Sequence, residues 1–487
     1  MSLLSLTFAL FFLAVLVVYY AVPTRYRWLC LLAASLAFYL CSDIRCFLFL
    51  LAGIVTTYAA GRLMAGLPQP RKKLVLTAAL VLNIGCLAVL KYYGYTVAVL
   101  NGALRRLGAA GSLRSFDLLM PLGISYYTLA VAGYCVDVYR GRIEPERNFL
   151  KYALFVSFFP QITQGPIPRW DQLAPQLTAP HPFRYKNLSD GLRLMLWGLF
   201  KKLVIADWLG VIVSTVFDAE TFIGSQVILA AVAFSIQLYA DFSGCVDIMR
   251  GCAQTFGIEL AINFNRPYFA TSIQDFWRRW HISLSTWLRD YVYIPLGGSR
   301  RGTARKYVNI LLVFLVSGFW HGVGVHYLVW GLLHGLFQVF GALLKPLRTK
   351  LIDRTGTDRS TLGYRVLQIL LTFGLVTFAW IFFRARSLGA ALAMIASIPL
   401  NLQLHQLVGR SLLTLGLDAP RLCALAVALA VLLVVSILQE KGELRPRIDR
   451  QPLPVRWAIY LAGIAAILIF GKYGPSIDPS AFIYSQF

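Results

Sequence analysis

The chain has 487 residues, of which 58% are hydrophobic and only 14% charged. Its mean hydropathy is +0.65. A typical soluble domain is roughly 25% charged, so these values exclude intrinsic disorder and argue against a soluble globular enzyme. Lys plus Arg number 46 against 22 Asp plus Glu, a net charge of +24, which reads here as basic loops at the cytoplasmic face rather than a nucleic-acid surface.

A bilayer core takes about 20 apolar residues per helix, which leaves room for about 11 to 14 crossings. The apolar runs are continuous, not alternating, which excludes a β-barrel. The predicted fold class is an all-α polytopic membrane protein. In chain order, Leu3 to Val22 is uncharged and lacks the basic n-region and cleavage site of a signal peptide, so it reads as a retained first helix. Pro23, Arg25 and Arg27 follow it, which puts that end inside and the N-terminus outside. Trp28 to Cys41 and Cys46 to Ala60 are shorter apolar pieces, and the basic stretch Arg62 to Lys73, with Pro68 and Pro70, reads as a second cytoplasmic loop.

Further apolar segments run near 74–91, 118–138, 149–161, 191–217 and 226–239, then near 308–340, 366–383, 422–438 and 457–470. Val308 to Phe340 is too long for one crossing and is expected to turn within it. Glu440 to Arg456 is basic and Pro-rich, a further cytoplasmic loop, so the last helix leaves Gly474 to Phe487 outside. Arg105, Arg106 and Arg114 fit this scheme less well. No internal repeat is visible, and residues 1–487 read as one integral membrane domain. The eight cysteines lie scattered in apolar segments without metal-ligand spacing, so no metal site is expected.

Hydrophobicity drops between Asn263 and Arg305. Read as one helix from about Ser272, Trp277, Trp280, Leu284, Trp287 and Tyr291 form a single apolar stripe. Arg278, Ser285 and Arg289 lie together away from it, with His281 on the flank. Such a helix sits either in the interface or along a wet cavity. Ser272 before Asp275 suggests a capped start. Next, Gly318 and Gly322, and Gly331 and Gly335, recur at the four-residue spacing that lets helix backbones approach closely. His321 lies inside the first pair; it is either a functional ionisable group or a histidine bonded to a carbonyl. His326 and His334 are weaker candidates. Gln161, Gln164, Tyr239, Asp241 and Ser243 are polar residues at helix ends, open to a capping role or a functional one.

These segments carry a resemblance. FFPQITQGPI (Phe158 to Ile167), QLYADFSGCVDI (Gln237 to Ile248), the stretch Phe264 to Gly302, and SGFWHG with WGLLHG (Ser317 to Gly335) are similar to the membrane-bound O-acyltransferase family, most of all to its alginate O-acetylation subfamily. The teichoic acid D-alanyl transfer branch is also similar. The motif-bearing core is 158–335, with 474–487 as an outward-facing tail.

The resemblance implies many helices around a central funnel or tunnel. It implies a thioester donor reached from the cytoplasm, such as acetyl-CoA or the phosphopantetheine thioester of an acyl carrier protein, and no tightly bound cofactor. The protein would sit in the bacterial plasma membrane. Beyond it would lie an extracytoplasmic hydrolase-like acetyltransferase partner and a polysaccharide acceptor. The family's histidines fall on His321 and His281. His321 is expected to act as general base, and His281 to donate to the oxyanion or orient the acceptor. Arg278, Arg279, Arg289 and Arg300 are either donor-phosphate ligands or loop charges, and Gln164, Asp241, Ser243, Asn263 and Ser285 are further polar candidates. Tyr484 in the C-terminal FIYSQF is either an acyl relay or an interfacial anchor. The sequence departs from the family pattern at His326 and Ser485, away from the two histidines. A transporter or channel is the competing class, but the paired broken helices of transporters are not evident.

Overall fold

The computed structural model describes residues 4–41, 43–108 and 111–473. Within them every regular element is helical. The backbone clusters into two units: Met1–Leu192 with Met249–Ala261, and Arg193–Ile248 with Ile262–Phe487.

The first unit begins with α1 (Leu6–Ala21), whose first turn is capped by Ser5 accepting from the Phe8 N–H. Next come α2 (Arg27–Leu40), α3 (Ile44–Met64) and α4 (Gln69–Arg106). The basic loop expected over residues 62–73 is shorter than the sequence suggests. Pro68 and Pro70 do not break a helix there; they occupy the cap and the first turn of α4, where a missing N–H costs nothing. After α5 (Ile124–Tyr139) and α6 (Phe149–Ser157), the FFPQITQGPI motif forms a buried turn rather than a helix. Gln161 Nε2 donates to the Pro166 carbonyl across it at 2.7 Å. Ser35 Oγ accepts from the Phe159 N–H at 3.1 Å, which satisfies a backbone donor that burial cuts off from water. Gly123 enters α5 at φ 71, and a Cβ there would lie 2.0 Å from the Ile162 carbonyl oxygen, so only glycine fits. The unit also holds α7 (Trp170–Thr178) and the start of α8 (Tyr185–Leu199).

In the second unit the chain leaves α8 through a wide π turn, Phe200–Ala206, into α9 (Asp207–Phe217). Then come α10 (Gly224–Thr255), α11 (Ile273–Arg279), α12 (Ile282–Leu288), α13 (Thr303–His321) and α14 (Val325–Leu343). The remainder is α15 (Lys345–Thr355), α16 (Leu362–Arg384), α17 (Leu388–Leu400), α18 (Ala419–Glu440), α19 (Leu444–Asp449) and α20 (Leu453–Phe470).

Val308 to Phe340 does turn, at Gly322 to Gly324, and its two arms pack closely. A Cβ on Gly331 would lie 2.2 Å from the Phe314 carbonyl oxygen, and one on Gly318 would lie 2.3 Å from that of Tyr327. In lipid, where apolar burial gives helices little reason to associate, this backbone approach supplies the packing. Glycine has the same use at Gly198 and Gly244, where α8 meets α10.

Seven helices among the described residues are long and apolar enough to cross a bilayer: α3, α4, α10, α14, α16, α18 and α20. That is fewer than the 11 to 14 that division by a uniform span suggests. α4 alone takes 38 residues and α10 takes 32, while α1 and α17 are apolar but shorter than 18. The outward faces of α4, α16, α18 and α20 carry exposed Leu, Ile and Val, for example Leu82, Leu370, Val434 and Leu468. That apolar exposure suits hydrocarbon, not water.

Candidate active site

The predicted single helix from Ser272 is not one helix. Ser272 does cap it, accepting from the Asp275 N–H at 3.1 Å. The chain then breaks at Trp280 and His281 into α11 and α12. His281 has φ 42 and ψ 54, in the left-handed region. For a residue with a Cβ this costs about 1–2 kcal/mol. An apolar stripe at helical spacing cannot reveal such a break, because it survives in the two short helices. Trp277, Trp280, Leu284 and Trp287 are all buried, as the stripe requires. What fails is the common polar face of Arg278, Ser285 and Arg289: the Ser285 hydroxyl turns back to the Trp280 carbonyl at 3.3 Å.

The break carries His281 inward. Its ring is fully buried, and His321, the last residue of α13, is 4% exposed. Their ring centroids are 6.4 Å apart with planes at 61°. With hydrogen bonds of about 3 Å each, two imidazoles at this spacing can serve one reacting group between them. The surroundings are aromatic. Phe242 lies 4.9 Å from His281, and Trp320, Trp330 and Phe383 lie 4.9, 5.0 and 5.5 Å from His321. Burial pushes the His281 imidazole down to about 3, so it is neutral at physiological pH. A neutral imidazole has one N–H to donate and one lone pair to accept with, which is the equipment of acid–base chemistry.

A third histidine is nearby. His334 on α14 is fully buried, and its Nδ1 accepts from the Trp277 indole N–H at 3.3 Å. Trp330 lies between it and His321, 5.1 Å from the former and 5.0 Å from the latter. His334 therefore braces the aromatic wall behind His321. His326 is also buried, against the Tyr327 ring at 4.3 Å.

The other predicted residues divide. Asn263 is buried, and it holds the start of α12 through its carbonyl and its side chain. Asp241 and Ser243 are buried too, but they answer lysines. Lys202 Nζ contacts Asp241 at 2.5 Å and Asp207 at 2.8 Å, while Lys201 Nζ donates to Ser243 and Asp247, each at 2.8 Å. Both lysines sit in the π turn, and sequence reasoning missed them. The signal was there: Lys201-Lys202 interrupts the apolar run 191–217, and the run 226–239 ends just before Asp241 and Asp247. Arg279 is taken up by Asp275 and Glu440, and Arg289 by Asp290. Arg278 and Arg300 are exposed. Gln164 is buried within the first unit. Tyr484 and the tail 474–487 lie outside the described residues.

A polytopic helical protein with two buried imidazoles set close together among aromatic rings has the arrangement of a membrane-embedded enzyme, with groups able to move a proton away from bulk water. Comparison with known proteins gives the reaction. The MBOAT, or membrane-bound O-acyltransferase, family matches over residues 145–383, which include both histidines. The chain is 36% identical over 404 residues to a peptidoglycan O-acetyltransferase of Helicobacter pylori, covering 77% of this chain and 74% of that one. It is 36% identical over 376 residues to a probable alginate O-acetylase of Pseudomonas syringae, covering 77% and 70%. A teichoic acid D-alanyltransferase of Bacillus subtilis is 26% identical over 284 residues, covering 55% and 70%. The chain belongs to the membrane-bound O-acyltransferase family. It is an O-acyltransferase, not a transporter, and a multi-pass membrane protein; the bacterial source of each of these relatives fits the plasma membrane.

Proposed function

We propose that this acyltransferase moves an acetyl group from a cytoplasmic thioester to a hydroxyl on the outer side of the membrane, through one catalytic domain whose core is residues 158–335. The observation that carries the reading is the buried His281–His321 pair, ring centroids 6.4 Å apart among aromatic side chains. The activities named for two relatives, O-acetyl transfer to peptidoglycan and, as a probable activity, to alginate, support acetyl over D-alanyl, since both cover 77% of the chain against 55% for the D-alanyl relative.

In this mechanism an acceptor hydroxyl attacks the thioester carbonyl. His321 takes the hydroxyl proton as the O–C bond forms, and His281 donates its N–H to the developing oxyanion. The C–S bond then breaks, and the proton on His321 passes to the leaving thiolate. A thioester is already activated, so the enzyme supplies mainly orientation and proton removal. The exposed Arg278 and Arg300 offer charge for the phosphates of coenzyme A or the acidic surface of a carrier protein. The acyl group passes onward to a hydrolase-like partner and a polysaccharide, with Tyr484 as the relay hydroxyl.

The test is turnover of acetyl and D-alanyl thioesters by the protein reconstituted in lipid, read as thiol release and as added mass on Tyr484. Acetyl turnover at least about tenfold faster, a difference of about 1.4 kcal/mol in the barrier, is expected. D-alanyl transfer from a carrier protein, with acetyl inert, would replace this reading with the teichoic acid one. Thiol release with no label on Tyr484 would remove the relay and leave direct hand-off.

A further inference from the structure

The structure points to a role for Asn263 that rests on the catalytic reading of His281. α12 has its cap position at His281, yet the His281 side chain makes no capping bond. A helix start leaves N–H groups without intrahelical partners, and a side chain at the cap usually takes one of them. Here the partner comes from another part of the chain. The Asn263 carbonyl accepts from the Ile282 N–H at 3.0 Å, and Asn263 Oδ1 accepts from the Ser283 N–H at 2.9 Å. Two residues on, the Asn265 N–H donates to the Arg279 carbonyl at 2.9 Å, at the end of α11. Residues 263 to 265 thus bracket the Trp280–His281 break from both sides.

We propose that Asn263 is the positioning residue for His281: it caps α12 from outside the helix and so holds the left-handed turn that sets the imidazole opposite His321. Any residue could supply the carbonyl at 263, so the side-chain bond to Ser283 is the part that requires asparagine. Asn263 Nδ2 is buried and has no hydrogen-bond partner among the described residues. The acceptor oxygen, not the amide donor, is therefore the working half of the side chain. An aspartate keeps that oxygen and adds a negative charge at a helix start, where it is favoured.

The experiment measures kcat and KM for acetyl-thioester turnover in the full-length protein reconstituted in lipid. The variants are Asn263→Ala, Asn263→Asp, His281→Ala and the double His281→Ala/Asn263→Ala. A displacement of about 1 Å in a catalytic group costs on the order of 10² in rate. Asn263→Ala is expected to lower kcat by about that factor with KM changed less than about threefold, and Asn263→Asp to stay within about fivefold of the parent. Added to His281→Ala, it is expected to cost no more than about twofold, because residues acting through one group are not additive.

Multiplying losses in the double variant would show that Asn263 acts independently of His281 and would overturn the proposal. So would an aspartate variant as slow as the alanine one with an unchanged melting curve. Should Asn263→Ala fail to accumulate, the aspartate variant decides alone. A fully active His281→Ala would instead remove the catalytic reading of His281, and this proposal with it.

Discussion

His321→Ala is expected to lower acyl transfer by about 10² to 10⁴, the usual worth of a general base, while the protein still inserts and melts cooperatively. Thiol release from the acetyl thioester by purified, reconstituted protein is the measurement. His321 ends α13, and the close backbone approach of α13 to α14 is made at glycines 318 and 331, with the imidazole adding a ring contact to Trp330. Removing the ring leaves a gap against Trp320, Trp330 and Phe383 while the glycine contacts of α13 with α14 remain, so the loss should fall on rate more than on stability. In the proposed mechanism the residual rate would come from the activated thioester and from the N–H that His281 offers the oxyanion. Transfer within a few-fold of the parent would remove His321 from the role of base.

Lys202→Met should act the other way, on stability first. Its ammonium is 4% exposed and meets Asp241, 2% exposed, and Asp207. Breaking a buried pair from one side leaves the opposite charge desolvated, which typically costs about 3–5 kcal/mol. Here two carboxylates lose a shared cation, and Asp207 keeps the nearby charge of Lys472. The melting temperature in detergent should fall, and Asp241→Leu in the same chain should restore part of it, because replacing both members of a buried pair by apolar residues costs far less than removing one. Such a charge cluster among packed helices is expensive, and its place beside Phe242, whose ring touches His281, ties it to the floor of the site. An unchanged melting curve for Lys202→Met would show that this charge cluster does not hold the helices together.

Much of the fold is legible in the sequence. Continuous apolar runs predict helices, the Gly-x-x-x-Gly spacings predict close backbones, and the overlong run 308–340 predicts a turn; all three are found. The missed features are those that one-dimensional pattern cannot express. Helical periodicity over Trp277 to Trp287 continues through a break, because one residue in the left-handed region leaves the apolar spacing intact. Asp241 and Ser243 look like helix-end polar residues until Lys201 and Lys202 are found opposite them, about 40 positions earlier in the chain. The arginine group beside His281 reads as one cluster in sequence. In space Arg279 belongs to Glu440, which also holds Arg266 and Arg365 at the end of α18.

The two histidines were identified through resemblance, since composition alone leaves His321 evenly poised between a functional and a bonded core histidine. What the structure adds is that they face each other. The central claim is that they serve one transition state, and the double-mutant cycle of His281→Ala and His321→Ala tests it most directly, read as acetyl transfer from a labelled thioester by reconstituted protein. The account predicts that each single variant loses at least about 10² and that the double variant is slower than the worse single one by no more than a few-fold, as for residues that act as a unit. Losses that multiply in the double variant, or either single variant at near-parental rate, would contradict it.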